Sequence, residues 1–166
     1  MTIYLVLPLL AIVAILQTTL LPSLAIWSVF ANLPLLVVVS WGLLRGPREG
    51  ALWGFLAGLM VDLLSGAPFG AATVSLIAVG FLAGLGETTV FRARIALPMI
   101  VMFLATIVYE LLFLLMMRIS GQGVAWLDSI IRLVIPSAVL NAVLTPVVFL
   151  AMSWLYTRFG REEMEW

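Results

Sequence analysis

Two carboxylates, Asp62 and Glu110, stand inside long apolar stretches of this sequence. A charge at a bilayer centre costs upwards of about 2.5 kcal/mol, so such side chains are expected to be paired, hydrated or protonated. An intramembrane acid pair is the one catalytic device these residues offer. The rest of the alphabet argues against an enzyme. The chain has no Cys and no His, which removes thiolate nucleophiles, disulfides, iron–sulfur ligation and the commonest zinc ligand. All eight cationic side chains are Arg, so neither a phosphate-binding nor a Schiff-base lysine exists. No nucleophile, base or metal constellation of an active site is assembled. We therefore expect a non-enzymatic protein with no cofactor and no metal.

The elements that must position these residues follow from hydrophobicity. Of 166 residues, 64% are hydrophobic and 10% charged, against roughly 25% charged in soluble domains. A soluble fold has nowhere to hide so much apolar surface. A helix needs about 20 residues to cross a hydrocarbon core roughly 30 Å thick. Six blocks qualify: residues 3–21, 27–44, 49–64, 69–86, 95–117 and 133–156. The expected fold is all-α, a six-helix transmembrane domain over 1–156 with a short charged tail at 157–166. The amino terminus lacks a basic n-region and a clear cleavage site, so the first block reads as a retained helix rather than a signal peptide. Net charge is zero, which leaves no field to recruit nucleic acid.

Arginine placement orients the spans, because short cytoplasmic loops are enriched in Arg and Lys. With both termini cytoplasmic, Arg45, Arg48, Arg92, Arg94, Arg158 and Arg161 lie inside, and Arg118 and Arg132 outside. The opposite orientation reverses that ratio. Interfacial aromatics agree: Tyr4, Trp41, Trp53, Trp154 and Tyr156 fall near the inner boundary, Trp27 and Trp126 near the outer one. The external segment 118–132, with Gly121-Gln122-Gly123 and then Trp126, reads as an interfacial loop or short amphipathic turn.

This topology puts Asp62 and Glu110 in one depth zone, the outer half, together with Gln17, Thr18, Thr19, Asn32 and Asn141. A convergent polar cluster there would bind a ligand, a partner helix or water. The plainer reading has Gln17, Asn32 and Asn141 capping helix ends or bonding neighbouring backbone. On helix 3, glycine recurs every fourth residue at Gly46, Gly50, Gly54 and Gly58, and the next step of that row is Asp62. Residues four apart form one ridge, and glycine along it admits a neighbouring backbone. Helix 4 offers a shorter Gly80-xxx-Gly84 pair. The ridge serves packing within the chain or a subunit interface. In the cytoplasmic turn, Arg45 and Arg48 flank Pro47 as topology anchors or a docking point.

The run Leu43-Leu44-Arg45-Gly46-Pro47-Arg48-Glu49-Gly50 continues through Gly54 and Gly58 to Asp62-Leu63-Leu64-Ser65-Gly66-Ala67-Pro68-Phe69-Gly70. It resembles the rod shape-determining MreD family, most sharply over helices 2 to 4. The resemblance implies a bacterial inner-membrane subunit of the cell-elongation machinery, a scaffold without catalytic activity. Its partners would be the transmembrane segment of MreC, the actin-like MreB, RodA and a class B penicillin-binding protein, besides membrane lipid. In size and span number the family also resembles the substrate-binding subunits of energy-coupling-factor vitamin transporters, which is the rival reading.

Overall fold

The computed structural model describes residues 3–20, 31–86, 96–123 and 129–159. Six α-helices run through them: α1 (Ile3–Ile15), α2 (Leu33–Arg45), α3 (Pro47–Ser65), α4 (Ala71–Gly84), α5 (Ala96–Ile119) and α6 (Ile135–Phe159). Residues 157–159, expected as the start of the charged tail, instead continue α6; the rest of that tail, together with Trp27, Arg92, Arg94, Trp126 and Arg161, lies outside the described residues.

α2 is the axis of the bundle, in contact with the five other helices. Every residue from Pro34 to Leu44 is buried, which a helix segment made mostly of Leu and Val, with one serine, tolerates because no polar face needs water. Around it pack Leu10 and Val13 of α1, Trp53 and Ala57 of α3, Leu76 and Val79 of α4, Met102 and Ala105 of α5, and Met152 of α6. α2 passes to α3 through the single residue Gly46, whose φ of 91° lies in the left-handed region. Glycine adopts that conformation without penalty, and Pro47 then opens α3 with its φ already helical.

Two elements depart from straight α-helix. The first span, expected as one helix over 3–21, widens after Ile15 into a π-helical turn, Leu16–Leu20. There the Thr18 hydroxyl donates to the Ala14 carbonyl at 3.0 Å, a back-bond that competes with the helix ladder. A second π-helical turn, Ile130–Val134, leads into α6, where the sequence suggests a plain start at 133. The described part of the second span begins at Leu33, later than the expected 27, with Asn32 as its N-cap. Asn is a strong cap because its side-chain oxygen accepts an orphan N–H.

The outer surface is apolar. On α6, Val139, Val143, Val147, Leu150 and Trp154 are all exposed, and on α5 so are Ile100, Leu104, Leu111 and Leu115. These two helices are long and apolar enough to cross a membrane. Stripes of this kind are hydrated at a large free-energy cost in water and at none in lipid.

Candidate functional site

The glycine row of α3 faces α4. The helices run antiparallel, and a Cβ at Gly50 would collide with the Gly80 carbonyl, one at Gly54 with the Leu76 backbone, and one at Gly58 with Thr73 Cα. At the far end, Gly84 approaches Gly46 and Pro47 equally closely. The ridge that the sequence left open between internal packing and a subunit contact is therefore occupied within the chain. α2 joins the same seam through Gly42, where a Cβ would lie 2.8 Å from the Gly80 carbonyl oxygen. Sequence reasoning missed Gly42, although it extends the four-residue row backwards by one step.

Asp62 ends that row, and its position explains its presence. Backbone contact along the ridge brings its carboxylate to the first turn of α4. Oδ1 accepts from the Ala72 N–H at 2.9 Å; Oδ2 accepts from the N–H groups of Gly70 at 3.0 Å and Thr73 at 2.9 Å, and from the Thr73 hydroxyl at 2.6 Å. The Ala71 N–H donates to the Pro68 carbonyl and the Val74 N–H to that of Gly70. Every donor of the α4 start is thus satisfied, as a helix end away from water requires. The negative charge also sits at the positive end of the helix dipole.

A second helix start is completed from three directions. Asn32 Oδ1 accepts from the Leu35 N–H at 3.1 Å, Gln17 Oε1 of the π-helical turn accepts from Leu33 at 2.9 Å, and Asn141 Oδ1 of α6 accepts from Asn32 at 3.0 Å. Pro34 has no N–H to satisfy. Behind it, Asn141 Nδ2 donates to the Thr106 hydroxyl at 3.4 Å, which itself donates to the Met102 carbonyl. Gln17 and Asn141 are buried, so these bonds are made in a low-dielectric interior.

Next to this junction lies a recess of about 330 Å³, lined by Gln17, Thr18, Asn32, Pro34, Val61, Leu64, Ser65, Tyr109, Glu110 and Phe113. The structure thus brings Gln17, Asn32 and Glu110 to one cavity, with Asn141 directly behind Asn32. It does not bring Asp62 there. Asp62 and Glu110 serve different neighbours, and Glu110 is the one carboxylate of the lining. Tyr109 is the residue sequence reasoning passed over here; a tyrosine adjoining Glu110 inside a span was its only signal.

At the opposite end, the two turn arginines separate. Arg45 is built into an aromatic cluster: its guanidinium carbon lies 5.7 Å from the Trp41 ring centre and 5.3 Å from that of Tyr156. Its Nε is 3.6 Å from Glu49, which accepts from Trp41 Nε1 at 2.9 Å. Trp41 stacks on Trp53 with centroids 4.3 Å apart. Arg48 is exposed. Among the described residues no group of three or more His, Cys, Asp or Glu side chains is placed to hold a metal ion.

The model of the rod shape-determining protein MreD family matches residues 1–159, nearly the whole chain. The chain belongs to the MreD family. MreD-family proteins are rod-shape-determining proteins of the bacterial membrane, in keeping with the lipid-suited surface of α5 and α6. No curated protein and no solved structure matches the chain. The motif that carries the MreD resemblance in the sequence, from Leu43 to Gly70, supplies the α3 side of the α3–α4 seam and its Asp62 cap.

Proposed function

We propose that this chain is a non-enzymatic, multi-pass subunit of the bacterial inner membrane that binds the transmembrane segment of MreC within the cell-elongation complex and so supports peptidoglycan synthesis. MreB, RodA and a class B penicillin-binding protein are its further partners. The observation that carries this reading is the family match over 159 residues. The match lends no support to the vitamin-carrier alternative. The commitment of Asp62 to α4, away from Glu110, favours a scaffold over an acid pair.

The proposal includes six spans with both termini cytoplasmic. Contact of Arg45 with Tyr156 puts the α2–α3 turn at the same end of the molecule as the end of α6, which carries Arg158. Arg118 closes α5 at the other end. A carboxyl-terminal alkaline phosphatase fusion is expected to be inactive, and an active one would refute the span count. The partner reading is tested by extraction in mild detergent. MreC is expected to copurify with the tagged chain, whereas recovery of a transporter ATPase module with bound vitamin overturns the reading.

A further inference from the structure

We propose that the recess between α1, α2, α3 and α5 binds the headgroup of an aminophospholipid, its ammonium seated on Glu110 and its phosphate on the side-chain amides of Gln17 and Asn32. The inference goes beyond the partner reading and stands whether or not MreC binds.

Glu110 is partly buried, and among the described residues its carboxylate makes no hydrogen bond and no ion pair. A carboxylate in an apolar setting is stable when a cation or donor meets it. The surrounding groups have the opposite character. Gln17 and Asn32 have spent their carbonyl oxygens on the start of α2, so each turns to a ligand as an N–H donor. Both side chains line the recess. The start of α2 adds the positive end of a helix dipole. One acceptor and two donors at a helix start match a zwitterion, ammonium at one side and phosphate at the other. A lysine or arginine of a protein partner would answer only Glu110.

Depth and walls favour a lipid. α2 has 13 residues and α4 has 14, about 20 Å each and short of the roughly 30 Å hydrocarbon core. The recess lies where α2 starts and α3 ends, since Asn32 caps the one and Ser65 closes the other. Headgroups therefore reach it although Glu110 is well inside the longer α5. Pro34, Val61, Leu64 and Phe113 supply apolar wall for the first acyl carbons.

The test uses the full chain, purified in detergent and depleted of lipid, with native mass spectrometry reading retained lipid. Phosphatidylethanolamine is expected to be retained about tenfold over phosphatidylglycerol, the size of one charge-assisted hydrogen bond. N-acylated phosphatidylethanolamine, which lacks the ammonium, should fall to the phosphatidylglycerol level, and this arm needs no mutant. Glu110→Gln should remove the preference while leaving phosphatidylglycerol retention and lipid-free melting unchanged. Equal retention of the two lipids, or retention of the N-acylated lipid, overturns the proposal. So does a preference that survives Glu110→Gln. Displacement by soluble glycerophosphoethanolamine at equal concentration would make this a soluble-ligand site. Loss of MreC from Glu110→Gln without any lipid preference would assign the recess to a basic side chain of a protein.

Discussion

Gly54→Leu is expected to abolish accumulation of the folded protein in the membrane before any partner is involved. A Cβ at this position already lies 2.6 Å from the Leu76 carbonyl carbon and 2.9 Å from the Ile77 nitrogen, and backbone cannot rotate aside as a side chain can. Overpacking a core that can yield costs about 1–3 kcal/mol. Here two helices must part along the seam from Gly46 to Asp62, so the loss exceeds about 3 kcal/mol. The measurement is membrane abundance together with the melting temperature in detergent, with Phe55→Leu on the exposed face as the control that should behave as wild type. Gly66→Ala provides a second comparison. Nothing lies within 4 Å of a Cβ there, but φ is +66°, so the cost is the conformational one of about 1 kcal/mol. Wild-type abundance and melting for Gly54→Leu would show that α3 does not pack on α4 through this row.

Asp62→Ala is expected to have the second-largest effect. It leaves the N–H groups of Gly70, Ala72 and Thr73 and the Thr73 hydroxyl without their acceptor. Each buried donor left unsatisfied costs about 1–3 kcal/mol, and water is scarce at this depth. Ala72 is fully buried, so solvent cannot replace the carboxylate at that point. A destabilisation on the order of 4 kcal/mol is expected, read as denaturant unfolding in detergent. Asp62→Asn keeps one acceptor oxygen and falls between the alanine variant and wild type. Thr73→Val removes only the hydroxyl bond and should cost about 1 kcal/mol. If Asp62→Ala unfolds like wild type yet loses MreC, the carboxylate serves the partner rather than α4.

These two expectations concern one device. Glycines at every fourth position bring two backbones together, and only that closeness allows a short Asp side chain to span from α3 to the first turn of α4. Widening the seam would pull the cap away, and removing the cap would leave the seam with an unsatisfied helix end. Gly54→Leu and Asp62→Ala are therefore expected to be non-additive.

Much of this was legible in the sequence because it depends on spacing along the chain. Apolar blocks marked the helices, and the four-residue glycine row with Asp62 as its next step announced a close contact. Counting residues at about 1.5 Å each gave Asp62 and Glu110 a similar expected depth. What counting does not supply is the direction each side chain takes around its helix axis. That direction, settled by the docking of α3 on α4, sent Asp62 to Thr73 and left Glu110 facing the recess. The same holds for the start of α2. Asn32 and Pro34 are visible as a helix start, but its completion by Gln17, 16 residues earlier, and by Asn141, 109 residues later, comes from contacts of high sequence separation. Composition and periodicity specify that every backbone donor in an apolar bundle must find an acceptor. Which side chain supplies it is a property of the assembled helices, because depth is set along one helix and neighbourhood by all six.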